Sequence, residues 1–286
     1  MNSIVEKQDR IIINKKVIPI KNEYINHLSL NYDVHNPRVY SNWNANEHEF
    51  LDQKIIEEKM QQMEHVKVLK NSIEENGGII EPLYVQDGTY TVFEGNSRLA
   101  AFRLLTKKDP ARWMEIKCVV LPIDLSRSEI DDILGTLHIV GRKDWDPFEQ
   151  AGHLYRRSIQ EDIDPEELAK KLGIKKADVK DMVKTYRYMM EKEDAESSRY
   201  SYYLEMLKNR SFKEICETIP QFEEKLVEQI KGECIPRAEQ VREITKVGKL
   251  PQKQRNKAVK EFVNGDLTFS DLVEVAIEYG ADNNIL

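Results

Sequence analysis

The sequence predicts an α+β protein: a small mixed-sheet domain over residues 10–125, an all-helical region with a helix-turn-helix over 126–192, and a C-terminal helical extension over 197–286. Three observations predict it. Short runs of β-formers separated by turn residues fill the first part, the pattern turns helical throughout beyond Ser126, and the helix starts there carry well-formed cap sequences.

In order along the chain, "RIIINKKVIPI" holds two β-rich pieces around Asn14-Lys15-Lys16. "NPRVYSNWNANEHEF" is polar and irregular and reads as a loop. Glu47 to Glu75 reads as a polar helical stretch whose end carries Val66, Leu69 and Ile73 at helical spacing, and Asn76-Gly77-Gly78 stops it. "EPLYVQDGTYTVFEG" reads as a hairpin, because Asp87-Gly88 suits the positive φ angles of a tight turn. "EIKCVVLPI" is a further strand.

The helical part is punctuated by "DPFE" (Asp146–Glu149), "DPEE" (Asp164–Glu167) and "TFSD" (Thr268–Asp271). Asp at the N-cap accepts from orphan amides, Pro loses no helical bond at the first position, and an acidic residue suits the positive helix end. Trp145 before the Asp146 cap reads as a staple to the core. Tyr203, Leu204, Leu207, Phe262, Leu272 and Ile277 read as core of the extension, and the basic run "PRAEQVREITKVGKLPQKQRNKAVK" as a solvated face.

Composition limits the function classes. The chain has 286 residues, 40% apolar and 33% charged, with a formal net charge of −7. That charge argues against a protein basic all over and leaves room for one local basic face. Cys118, Cys216 and Cys234 are far apart, which argues against a disulfide framework or a cysteine metal site and for a reducing, cytoplasmic setting. No apolar run approaches membrane-spanning length.

"DPEELAKKLGIKKADVKDMVKTYRYM" reads as a helix-turn-helix over 165–188. Ala169 permits close helix approach, Gly173 a left-handed turn, and Val179 packing of the second helix onto the first. Leu168, Leu172, Ile174 and Met182 complete the apolar set. The second helix presents Lys175, Lys176, Lys180, Lys184 and Arg187 against Asp178 and Asp181, a local positive excess suited to duplex DNA phosphates. A solvated helix face is the competing reading.

The other candidate site is "TVFEGNSRLAAF", where a strand stops at Gly95 and an apolar helix begins. Asn96 or Ser97 is placed to cap that helix, its first amides offer a phosphate cradle, and Arg98 adds a forked donor. On these residues alone the cradle stands beside a plain capped helix with Arg98 paired to Glu94.

The order of motifs resembles the ParB family and, more broadly, the ParB/sulfiredoxin fold. "VIPI", "NPRVY", "SIEENGGIIEPLYV", "YTVFEGNSRLAA" and "LHIVGRKDWDPFEQA" followed by the helix-turn-helix are similar to that family's landmarks in sequence, over roughly Val17 to Met190. The resemblance implies a nucleotide pocket for CTP, or ATP, with Mg2+, whose state controls a clamp on DNA, and it implies a homodimer. Carried over by position, Gly95 and Arg98 match the phosphate turn together with Asn96 and Ser97. Gly78, Ile80 and Pro82 match the loop near the base, Arg38 the early Pro-Arg, and Arg142 a retained arginine.

Departures from the pattern are as informative. Asn96 replaces a Glu associated with hydrolysis and cannot act as a general base. Ser97 replaces an arginine, and Glu81 stands where Gln is usual. His138 and Ile139 replace a Glu-Asn pair that helps to hold magnesium, and neither offers the oxygen ligand magnesium prefers. Nucleotide binding is thus expected more than NTP hydrolysis. The alternatives are an enzyme of the same fold, a nuclease or phosphotransferase with Glu94 and His138 as weak catalytic candidates near Glu81 and Asp87, and a scaffold with a vestigial pocket.

Overall fold

The computed structural model describes residues 9–40, 52–141 and 145–282, which form two compact units. The first runs through His153 and includes Ile163–Lys176; the second comprises Leu154–Asp162 and the chain from Ala177 onward.

The first unit opens with β1 (Arg10–Ile13) and β2 (Lys16–Pro19), an antiparallel pair closed by a two-residue turn. Asn14 and Lys15 take φ of 49° and 67° there. Such a turn needs positive φ at both central residues, and Asn tolerates it better than most. A separate five-stranded sheet contains β3 (Lys21–Asn26), β4 (Asn31–Tyr32), β5 (Leu83–Gln86), β6 (Thr91–Glu94) and β7 (Glu115–Leu121) in the order β3-β7-β5-β6-β4. The β3/β7 and β5/β6 pairs are antiparallel, and the β5/β7 and β4/β6 pairs are parallel.

Alternation along these strands produces two cores. Leu83, Val85, Val92, Ile116, Cys118 and Val120 face one side. They pack with residues of α2 (Gln53–Gln62), α3 (Glu64–Asn76) and α4 (Asn96–Thr106), among them Ile56, Val66, Ile73, Leu99 and Phe102. Phe93 and Leu121, of opposite phase, face Ile18 of β2, Trp145, and Ile130, Ile133 and Leu134 of α5 (Arg127–Gly135). The apolar stripe read at Val66, Leu69 and Ile73 is therefore the inner face of α3.

Some local readings need correction. The helix expected over Glu47 to Glu75 is two helices, broken at Met63, whose ψ of 134° is extended; residues 47–51 lie outside the described residues. In the segment read as a loop, Pro37–Tyr40 forms one helical turn, α1, and residues 41–51 lie outside the described residues. The β5–β6 connection is wider than the tight turn expected at Asp87-Gly88. It spans Asp87 to Tyr90, with positive φ at Gly88 (74°) and Tyr90 (54°), and the Tyr90 N–H donates to the Gln86 carbonyl at 3.0 Å.

The cap sequences behave as read. Before α6 (Pro147–Tyr155) the Glu149 N–H donates to Asp146 Oδ1 at 2.8 Å, and the Asp146 N–H donates back to Glu149 Oε2 at 3.0 Å. Asp164 caps α7 (Pro165–Leu172), which ends at Gly173 with φ 66°. The Ile174 N–H returns to the Ala169 carbonyl at 3.1 Å. α8 (Lys176–Glu191) follows, and the boundary between the two units falls at its first residue.

The second unit continues with α9 (Tyr200–Lys208), α10 (Arg210–Thr218), α11 (Gln221–Lys231), α12 (Ile244–Lys249), α13 (Gln252–Asn264) and α14 (Phe269–Asp282). Phe212, Phe222, Phe262 and Phe269 form a chain of ring contacts with centroids 5.7–6.3 Å apart. Offset and edge contacts at such distances are the favourable ones for aromatic pairs. Tyr203, Leu207, Phe262 and Leu272 are buried as expected and Leu204 is half-buried, whereas Ile277 is exposed. Among the described residues no helix is long and apolar enough to cross a membrane.

Candidate functional site

The turn between β6 and α4 is built on Gly95, at φ 96°. A Cβ there would lie 2.9 Å from Leu83 Cγ and 3.1 Å from Arg98 Nε, so both the backbone angle and the space call for glycine. Gly95 is itself the N-cap, and no side chain caps α4. This corrects the expectation that Asn96 or Ser97 does so. Both lie in the first turn, with side chains committed elsewhere.

Asn96, 2% exposed, turns back into the sheet: Nδ2 donates to the Val92 carbonyl at 2.7 Å, and Oδ1 accepts from the Asp33 N–H at 3.2 Å. Ser97 Oγ lies 3.0 Å from His65 Nε2 and accepts from Arg38 Nη1 at 3.2 Å. Burial, reinforced by Arg38, pushes His65 below the ordinary histidine value, so the ring is neutral near pH 7 and suited to accept the Ser97 proton in this bond.

Arg98 reaches the other flank of the turn. Its Nη1 donates to both the carbonyl and Oε2 of Glu81, each at 3.2 Å, and its Nη2 pairs with Glu94. The pairing of Arg98 with Glu94, left open by the sequence, is present, and Glu81 joins it. Beside them an open cavity of about 200 Å3 is lined by Leu69, Ile73, Gly78, Ile80, Glu81 and Arg98 among others. Gly78 and Ile80 line this cavity, and Ile80 is 81% exposed. Pro82 follows Glu81 directly before β5.

Arg38, on α1, is held from two sides. Its Nε faces Glu149 Oε1 at 3.2 Å while Nη1 bonds Ser97. Glu149 is only 7% exposed, and burial raises its carboxyl to about 7 against the opposing pull of Arg38. Below the turn, Arg127 donates to Asp33 at 2.7 Å and to Asp131 at 2.8 Å. Sequence reasoning missed His65, Asp33, Arg127 and the inward role of Glu149. Only Glu149 carried a signal, as the third residue of a capping box.

His138 lies in a π-helical stretch, Thr136–Gly141, that continues α5. It is buried and stacked on Trp145, with ring centroids 4.2 Å apart and planes 15° apart, and its Nε2 is 3.7 Å from Glu94 Oε1. Ile139 is buried too. This packed imidazole and apolar neighbour do not fit magnesium, which takes oxygen ligands. Asp87 pairs with Lys21 at 3.4 Å at the far end of the β5–β6 hairpin from Glu94, so it does not join Glu81 and Glu94, which meet at Arg98. Among the described residues no group of three or more His, Cys, Asp or Glu is arranged to hold a metal ion. Arg142 lies outside the described residues.

On α8 and just before it, Lys175, Lys176, Lys180, Lys184 and Arg187 are all exposed. Lys176 pairs with Glu166 at 2.8 Å and Arg187 with Glu191 at 3.6 Å. Lys180 and Lys184 make no ion pair among the described residues, and Asp181 is drawn instead to Lys208 at 3.1 Å. Spaced four residues apart, Lys176, Lys180 and Lys184 share one helix face.

No family model matches the chain, and a search of curated proteins finds no sequence relative. Among solved structures, the chain is similar to the C-terminally truncated chromosome-partitioning protein ParB from Caulobacter crescentus complexed to the centromeric parS site. That likeness has 12% identity and a TM-score of 0.39, covering 90% of this chain and 99% of that one. It is similar to the pNOB8-like ParB N-domain at 14% identity and a TM-score of 0.39, over 95% and 98% of the two chains. The Caulobacter crescentus ParB complexed with CTP-gamma-S gives 14% identity and a TM-score of 0.28, over 85% and 99%. These neighbours are structures of the family that the motifs resemble.

Proposed function

We propose that this chain is a DNA-binding protein of the ParB-like type, whose mixed-sheet unit binds a nucleoside triphosphate, CTP or ATP, at the Gly95–Arg98 turn. The observation that carries the reading is that Arg38, bonded to Ser97, and Arg98, beside Gly95, flank an α4 N-terminus that no side chain caps, behind a left-handed glycine. Backbone amides at a helix start and two guanidinium forks are a chemically apt set for phosphate oxygens. The adjoining cavity, with Ile80 at its mouth, offers apolar surface for a base.

Binding without hydrolysis fits these residues best. Asn96 is not a base, its amide is committed to Val92 and Asp33, and the His138–Ile139 pair does not suit magnesium. One observation favours a second reading, a scaffold with a vestigial pocket: Glu81 and Glu94 already neutralise Arg98. A phosphate ligand has to displace at least Glu81 from that guanidinium.

The exposed lysines of α8 are assigned to the phosphates of duplex DNA. The test is the salt dependence of duplex binding for the Lys176→Ala/Lys180→Ala/Lys184→Ala protein. Loss of three phosphate contacts lowers the slope of log K against log salt by about 2.7, at about 0.9 per contact, and weakens binding alike across sequences. Unchanged affinity and slope remove α8 from the interface.

A further inference from the structure

We propose that Glu149 governs the availability of Arg38 to a phosphate at the α4 N-terminus, and that ligand binding there is coupled to proton uptake by the Glu149 carboxyl. This rests on the nucleotide reading above and concerns its regulation. Arg38 spans the two groups: Nε faces Glu149 Oε1 at 3.2 Å, and Nη1 donates to Ser97 Oγ at 3.2 Å in the first turn of α4.

The groups around Glu149 come from three elements. Arg38 approaches from α1, the Asp146 N–H donates to Oε2 at 3.0 Å from the helix start, and the Asp146 carboxylate adds negative charge. His65 of α3 lies across Ser97, in the field of both Arg38 and Asp146. Burial lifts the Glu149 carboxyl to about 7, Arg38 opposes the lift and Asp146 adds to it.

An anion brought to the α4 N-terminus adds negative charge near this carboxyl and draws the Arg38 guanidinium toward itself. Both changes favour neutral Glu149. By linkage, binding takes up a proton, so affinity falls as pH rises through about 7. His65 titrates below its ordinary value, which separates its contribution from that of Glu149 above neutral pH.

If only the neutral form accepts the ligand, a carboxyl with a pKa of about 7 is competent in about one molecule in ten at pH 8. Glu149→Gln is neutral at every pH and keeps an acceptor for the Asp146 N–H. The experiment titrates wild type and this variant with CTP and with inorganic tripolyphosphate between pH 6 and 8.5. Their ratio cancels the ligand's own protonation.

The variant is expected to bind about tenfold more tightly than wild type at pH 8 and equally at pH 6. Calorimetry of wild type in buffers of different ionisation enthalpy, which needs no variant, is expected to show net proton uptake above pH 7 beyond that of the ligand. Binding by wild type with a pH-independent ratio overturns this inference and leaves the nucleotide reading intact. A His65→Gln protein that loses the proton uptake assigns it to His65 and overturns it as well. Absence of binding to either probe at any pH overturns the nucleotide reading and the inference with it.

Discussion

Replacing Asn96 by alanine tests whether the α4 turn is held from inside. The side chain is 2% exposed and satisfies two buried backbone groups on different strands of chain, the Val92 carbonyl at 2.7 Å and the Asp33 N–H at 3.2 Å. Alanine leaves both without a partner. Each buried polar group so stranded costs about 1–3 kcal/mol, so the loss is about 3 kcal/mol after partial relaxation. For a unit of this size that corresponds to a fall in Tm of about 6–12 °C. The readout is favourable: Trp113 and Trp145 are buried in the first unit, and the second unit contains no tryptophan. Denaturation followed by tryptophan fluorescence therefore reports on the first unit. Asn96→Asp keeps the acceptor for Asp33 but turns a carboxylate oxygen toward the Val92 carbonyl, and is expected to be no more stable than alanine. A loss below about 0.5 kcal/mol for Asn96→Ala refutes the inward anchoring of the turn.

Two further outcomes follow from the same unit. Gly95→Ala has to adopt φ near 96° and place a Cβ 2.9 Å from Leu83 Cγ; it is expected to lose about 1–3 kcal/mol by the same fluorescence assay, and wild-type stability refutes the claim that this position requires glycine. Burial alone would raise the Asp33 carboxyl, but hydrogen bonds from His35 and Arg127, with the Arg127 charge, outweigh it and hold it below the usual value. A depressed carboxylate stabilises the fold above its unfolded pKa of about 4, and that contribution is lost as pH falls toward the folded value. Stability of the first unit is thus expected to drop below about pH 4, less steeply in Asp33→Asn; identical acid profiles contradict this.

Local chemistry was the legible part of the fold. The two-residue turn at Asn14-Lys15, the Asp caps at Asp146 and Asp164 and the stop at Gly77 each follow from a few neighbouring residues. The break at Met63 has no such signal, because Met is a good helix former. The two-residue strand β4 is too short for any periodicity to show. In the site, Gly95 and Arg98 stood out because strand, glycine and helix adjoin in sequence. The contacts that decide their chemistry did not, since Arg98 meets Glu81, Asn96 meets Asp33 and Arg38 meets Glu149 only after the sheet order brings distant segments together. Glu149 read only as the acidic residue of a helix cap; its burial against Arg38 had no signal in the sequence.

The central claim is that the Gly95–Arg98 turn holds a nucleotide. Calorimetric titration with CTP, ATP and GTP, with and without magnesium, on wild type and Arg98→Ala tests it most directly, with tryptophan fluorescence confirming that both proteins are folded. CTP or ATP is expected to bind wild type, and Arg98→Ala to abolish binding. Folded wild type that binds none of the three contradicts the claim, and leaves Glu81 and Glu94 as the permanent partners of Arg98 in a scaffold.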